Sequence, residues 1–215
     1  MYRLVIFDLD GTLLNTIGDL AAAGNYALEK LGYPQHEENA YRLFVGNGIP
    51  KLIERMLPQD CTEEIRAKTY DVFMEYYSRH KSDRTAPYAG IPELIGRLRS
   101  AGVRVAVNSN KAHEFSAALL KSFFGDAFDR VIGFGIGFGA KPDPAAALEL
   151  CREFCPDKSK ALYVGDSGVD MQTAANAEID ACGVLWGFRS REELSSFHPK
   201  HIVESSEELE QVILD

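Results

Sequence analysis

Residues 3–16 read RLVIFDLDGTLLNT, and the way this stretch begins and breaks off decides the fold. Four apolar residues, Leu4 to Phe7, run straight into Asp8, with Asp10 and Gly11 close behind. A short apolar run bounded by acids and a glycine is the pattern of a buried strand that stops at a rim. In extended chain, residues two apart point to the same side, so Asp8 and Asp10 face one small pocket. Two carboxylates that close repel each other unless a cation or a shared proton lies between them. A divalent metal site is the expectation.

Outward from that strand the texture changes twice. Residues 16–80 show no strand pattern; helices are expected over 16–32, 37–45, 49–57 and 62–80. Gly32 and Pro34 punctuate the end of the first, and Ile65, Thr69, Val72, Phe73 and Tyr76 keep helical spacing in the last. The polar run HKSDRT at 80–85 closes this block. Beyond Pro87, helices expected at 90–101, 112–124, 143–154, 168–177 and 206–213 alternate with strands near 103–107, 130–132, 161–164, 181–185 and 201–203. Such alternation predicts an α/β fold with a Rossmann-like, doubly wound parallel sheet. The helical block is then an insert: residues 1–14 and 84–215 form the core, and 15–83 form an all-helical cap placed to act as a lid.

The chain has 215 residues, 46% of them hydrophobic, enough to bury a core. A formal charge of −9 argues against a nucleic-acid or anionic-membrane surface. The four cysteines form no CxxC; Cys151 and Cys155 share a helix face and read as buried thiols. The five histidines show no zinc spacing. The first apolar run is too short for a secretory signal, and no run reaches the roughly 20 residues that span a bilayer. A reduced, cytoplasmic setting is expected, with the oligomeric state left open.

Three further strands end in polar clusters. VAVNSNK, at 105–111, puts Ser109, Asn110 and Lys111 after the strand 103–107. GAKPDP, at 139–144, sets Lys141 ahead of a helix. ALYVGDSGVD, at 161–170, sets Asp166 after a strand and Asp170 four residues on. In a doubly wound sheet these strand ends share one edge, where such folds bind ligands. Carboxylates, a hydroxyl, an amide and an amine gathered there suggest phosphoryl transfer. A phosphate dianion attacked by an anion needs charge neutralisation and in-line positioning. Mg²⁺ on carboxylate oxygens supplies much of the charge, and a hydroxyl with backbone N–H groups cradles the phosphate. One carboxylate can attack phosphorus while a second moves the leaving-group proton.

DLDGTLLNT, NSN, KPDP and GDSGVD, in this order along the whole chain, resemble the four signature motifs of the haloacid dehalogenase-type phosphohydrolases. The resemblance implies that Asp8 is the nucleophile and that Asp10 is the general acid/base, lending a backbone carbonyl to Mg²⁺. It implies phosphate binding by Ser109, with Asn110 beside it and Gly11 in the cradle. Lys141 matches the motif lysine. Asp8, Asp10 and Asp166 form the metal set, supported by Asp170. FVGNGIPKLIERML, at 44–57, is similar to the lid segment of the phosphoglycolate phosphatases of this family. There the helix start after Gly48, or Lys51, would meet a substrate carboxylate.

Three departures stand out. Asn15 replaces a frequent Asp, Ser109 a frequent Thr, and GFGIGFG at 133–139 lacks the acids common before the lysine motif. That glycine run also lacks GxGxxG spacing and reads as a flap rather than a nucleotide loop. The expected activity is Mg²⁺-dependent hydrolysis of a small phosphate ester, by resemblance 2-phosphoglycolate, through an aspartyl-phosphate. Alternatives are another substrate (pyrophosphate, a nucleoside or a sugar phosphate) or a phosphomutase using the same Asp8 and Asp10. A non-catalytic binding protein would have been marked by loss of one of these acids.

Overall fold

A computed structural model describes residues 1–215. The chain divides into two compact units, Met1–Leu14 with Pro87–Asp215, and Asn15–Ala86.

The first unit is a six-stranded parallel sheet. Its strands are β1 (Leu4–Phe7), β4 (Arg104–Ala112), β5 (Arg130–Phe134), β6 (Ala161–Gly165), β7 (Asp180–Val184) and β8 (His201–Val203), in the order β5-β4-β1-β6-β7-β8. The first strand is central, paired with β4 on one side and β6 on the other. The order therefore reverses at β1, the doubly wound pattern expected. Alternation along the strands sorts the core into two faces. Val5, Phe7, Val105, Val107, Leu162 and Val164 pack with α5 (Ile91–Ser100), α6 (His113–Phe124) and α10 (Ser206–Leu214). Leu4, Ile6, Ala106 and Tyr163 pack on the other face with α7 (Ala145–Phe154) and α8 (Gly168–Ala177). Both faces are covered, which is why these strands are continuously apolar.

Two features differ from the expected elements. β4 does not end at Val107 but runs on to Ala112, with an irregular register against β5 between Asn108 and Ala112. Ser109, Asn110 and Lys111 thus lie within extended, buried chain rather than beyond it. A further short helix, α9 (Arg191–Ser195), is capped by Ser190, whose side chain accepts the N–H of Glu193. Cys151, Cys155 and Cys182 are buried free thiols; burial pushes Cys151 up to about 11 and Cys182 to about 12. No helix is long and apolar enough to cross a membrane.

The second unit is helical: α1 (Ile17–Lys30), a 3₁₀ turn at Glu38–Ala40, α2 (Tyr41–Phe44), α3 (Ile49–Met56) and α4 (Glu63–His80). Residues 37–45, expected as one helix, divide into that 3₁₀ turn and α2. Tyr41 is fully buried, with its hydroxyl donating to Asn25 Oδ1 at 2.9 Å. Gly24 makes room for it, since a Cβ there would stand 2.4 Å from the tyrosine ring. Asp19, also buried, accepts the backbone N–H groups of Arg84 and Thr85 and the Thr85 hydroxyl. That carboxylate keeps residues 84–86 with the helices, three residues beyond the boundary read from HKSDRT. Short strands β2 (Leu14–Asn15) and β3 (Ala86–Pro87) pair where the chain leaves and re-enters the first unit.

Candidate active site

Every strand of the sheet is parallel, so the C-terminal strand ends share one edge, and four chain segments deliver polar side chains there. Asp8 follows β1 directly and continues its ladder, donating its N–H to the Val164 carbonyl at 2.9 Å. The chain then turns tightly: the N–H groups of Leu13 and Leu14 both reach the Leu9 carbonyl at 3.0 Å. Gly11 sits in this turn at φ +88, and a Cβ there would lie 2.2 Å from Asp166 Oδ2. Only glycine satisfies both the backbone and the space. Gly187, after β7, is equally tight, with its Cβ position 2.2 Å from the Asp166 Cβ.

Lys141 is the hub. Its Nζ lies 2.6 Å from Asp8 Oδ1 and 2.6 Å from Asp170 Oδ1, with the lysine side chain 3% exposed. Asp170 is held in turn at the start of α8, where its Oδ2 accepts the Ser167 N–H at 3.1 Å and the Ser167 hydroxyl at 2.7 Å. That capping box satisfies helix N–H groups and fixes the acid at once. Asp166 Oδ2 accepts the Phe188 N–H at 2.7 Å. Tyr163, on β6, lies buried beneath, its hydroxyl donating to the Asn108 carbonyl.

The remaining expected residues fall in different places. Asn110 and Lys141 are tied reciprocally: Asn110 Oδ1 accepts the Lys141 N–H at 2.7 Å and Asn110 Nδ2 donates to the Lys141 carbonyl at 3.3 Å. Asn110 therefore holds the lysine loop. Ser109 is buried, and its Oγ accepts the Lys111 N–H at 3.2 Å. Asp10 turns its carboxylate to Lys111, whose Nζ stands 3.0 Å from both oxygens. Lys51 belongs to the helical unit, half-exposed on the first turn of α3 and paired with Glu54 at 2.7 Å. Lys111 is visible in NSNK, but nothing in the sequence links it to an acid 101 residues away.

Charge is concentrated here. Four acids, Asp8, Asp10, Asp166 and Asp170, gather here with two lysines, Lys111 and Lys141, while Arg189 acts on Asp166 from further along the chain. Burial pushes the Asp8 carboxyl up to about 7, with Lys141 pulling it back and the charge of Asp170 adding to the rise. Asp166 is raised well above the usual carboxylate range by burial and then by Asp170 and Asp8. Burial disfavours the Lys141 ammonium, but Asp170 and Asp8 outweigh it and keep the lysine charged. Asp8, Asp166 and Asp170 offer ligand atoms within 4.8 Å of one another. An all-oxygen donor set of three clustered carboxyls fits a hard divalent cation. The Asp10 carboxylate stands outside that group.

A family model for haloacid dehalogenase-like hydrolases matches residues 5–184, which takes in all of these side chains. The chain is a haloacid dehalogenase-like hydrolase. This hydrolase is 34% identical to a phosphoglycolate phosphatase of Vibrio parahaemolyticus over 218 residues, covering 98% of this chain and 96% of that one. It is 32% identical to a phosphoglycolate phosphatase of Psychrobacter arcticus, covering 92% and 89%. A crystal structure from Lactobacillus delbrueckii subsp. bulgaricus, of a protein described provisionally as a phosphoglycolate phosphatase, superimposes with a TM-score of 0.93. Sequence identity there is 33%, and the match covers 99% of this chain and 98% of that one.

Proposed function

We propose that this hydrolase removes phosphate from a small phosphorylated carboxylic acid, 2-phosphoglycolate foremost, in a Mg²⁺-dependent reaction through a phosphorylated Asp8. The chain is a phosphoric monoester hydrolase. The observation that carries the mechanism is the Asp8–Lys141–Asp170 chain beside Asp166, buried at the strand ends. The substrate rests on the relatives named above, all described as phosphoglycolate phosphatases.

Asp8 sits where a nucleophile must, at the end of a rigid central strand and held by a lysine through one oxygen, Oδ1. Its other oxygen has no protein hydrogen-bond partner and attacks phosphorus in line with the leaving oxygen. Lys141 neutralises charge on the attacked phosphoryl group while staying anchored by Asp170. The Ser109 hydroxyl and the backbone N–H groups around Gly11 cradle the phosphoryl oxygens. Asp10 gives a proton to the departing alkoxide and afterwards takes one from the water that opens the aspartyl-phosphate. Asp8, Asp166 and the Asp10 carbonyl would hold Mg²⁺, with Asp170 in support, and the ion would neutralise the phosphate dianion and lower the barrier to anionic attack. The helical unit is proposed to cover the site during turnover and to choose the substrate, with Lys51 or the N–H groups at the start of α3 meeting the carboxylate.

The test is phosphate release from a panel of monoesters and pyrophosphate with Mg²⁺ present, compared by kcat/KM. 2-Phosphoglycolate should lead the panel by at least about tenfold, equivalent to about 1.4 kcal/mol. A neutral sugar phosphate in first place would overturn the substrate reading, and an isomerised product without free phosphate would make the protein a mutase.

A further inference from the structure

We infer that Lys111 is the positioning residue of the general acid/base: it holds the Asp10 carboxylate in place and keeps it out of the cation site. The inference rests on the phosphatase reading above and adds to it a residue with no assigned role.

The two buried lysines divide the acids between them. Lys141 takes Asp8 and Asp170, whereas Lys111 takes both oxygens of Asp10 at 3.0 Å. The Lys111 side chain is 2% exposed and that of Asp10 15%. A buried lysine loses most of its rotamer freedom, and buried ion pairs seldom repay their desolvation. Stability alone is thus a poor reason for this arrangement, and geometry is a better one.

The backbone supports it. The Lys111 N–H donates to Ser109 Oγ at 3.2 Å and its carbonyl accepts from Ser116 Oγ at 3.3 Å. Gly133 lies so close that a Cβ would stand 2.8 Å from the Lys111 carbonyl oxygen. A long side chain can place a charge accurately only from a fixed root, and this root is fixed from within β4, by the close approach of β5 and from α6.

The consequence concerns the leaving group. Asp10, as read above, protonates a departing alkoxide, and it must lie on the leaving-group side to do so. Freed from Lys111, the carboxylate can rotate toward Asp8 and Asp166, where it would serve as an additional cation ligand and no longer reach the ester oxygen.

The experiment compares wild type, Lys111→Met, Asp10→Asn and the double variant on an alkyl ester, 2-phosphoglycolate, and on p-nitrophenyl phosphate, whose leaving group needs no proton. Lys111→Met should lower kcat for the alkyl ester by about 10²-fold, the range of general acid catalysis. The aryl ester should change by less than about threefold and KM should hold. In the Asp10→Asn background the same substitution should add nothing, because its effect runs through Asp10. If Lys111→Met does not fold, Lys111→Gln retains a donor without the charge and should show the same split at smaller size. Equal losses on both esters, or a full additional loss in the double variant, would overturn the inference while leaving the phosphatase reading intact. A wild-type protein inactive on every ester would overturn both.

Discussion

The two units of this chain treat their charged residues in opposite ways. In the sheet unit, Asp8, Lys111, Lys141, Asp166 and Asp170 are buried, and each is held by named partners from a different segment of the chain. In the helical unit, Lys51 is half-exposed and pairs with Glu54, three residues along its own helix. Buried acids and amines are costly unless paired, so a fold retains them where chemistry needs a fixed, dry field. An exposed lysine on a helix turn is cheap to change. Chemistry is therefore expected to be common to the sheet unit, and choice of substrate to vary with the helical one.

The comparison breaks most visibly at Asp8. Asp8→Asn should lower turnover by at least about 10³-fold on every ester, because an amide does not attack phosphorus. Circular dichroism should still show a folded protein, since removing a carboxyl pushed up to about 7 relieves strain between acids. Near-normal hydrolysis by this variant would end the covalent account.

Metal removal should act almost as strongly, and its pH dependence sharpens the electrostatic half of the contrast. Asp8 has its carboxyl raised to about 7 in the folded chain, against about 3.9 when unfolded. Between those values the folded state binds more protons, so stability falls as pH rises, and the loss is complete above pH 7. Mg²⁺ favours the ionised carboxylate, so it should raise the melting temperature more at pH 8 than at pH 5.5. Activity should vanish in excess EDTA. An equal melting shift at both pH values would contradict this charge balance.

A smaller effect is expected in the helical unit. Lys51→Ala should cut kcat/KM for 2-phosphoglycolate about tenfold and leave p-nitrophenyl phosphate nearly unchanged. The exposed Lys51–Glu54 pair is screened by solvent and contributes little, so stability should hold. Equal losses on both esters would place Lys51 in folding or closure instead. Gly24→Ala should affect chemistry least. Its methyl would meet the Tyr41 ring at 2.4 Å, costing about 1–3 kcal/mol and lowering the melting temperature by several degrees. The folded fraction should keep its kcat.

Much of this was legible in the sequence because strand ends announce themselves. Apolar runs at 4–7 and 161–164 that stop at Asp8 and Asp166 mark both the sheet and its rim. The Ser190–Glu193 spacing is an equally plain helix signal at α9, although the helix is only five residues long. Other features leave no local trace. β4 continues through Asn108–Ala112 because the neighbouring strand and buried partners sustain it, although the residues are polar. Asn110 clamping Lys141, Lys111 holding Asp10 and Asp19 tying Arg84 and Thr85 to α1 are all contacts across more than 30 residues. Periodicity reports which face a residue lies on, and pairings of this kind depend on which segments that face then meets.

The central claim, that Asp8 carries the phosphoryl group, is tested most directly by trapping. Enzyme mixed with Mg²⁺ and 2-phosphoglycolate is quenched in the first turnover and reduced with borohydride, which converts an aspartyl-phosphate to homoserine. Peptide mass spectrometry should find homoserine at position 8, only when substrate was present, and none in Asp8→Asn. Substrate turnover with position 8 unmodified, or with the label on another residue, would contradict it.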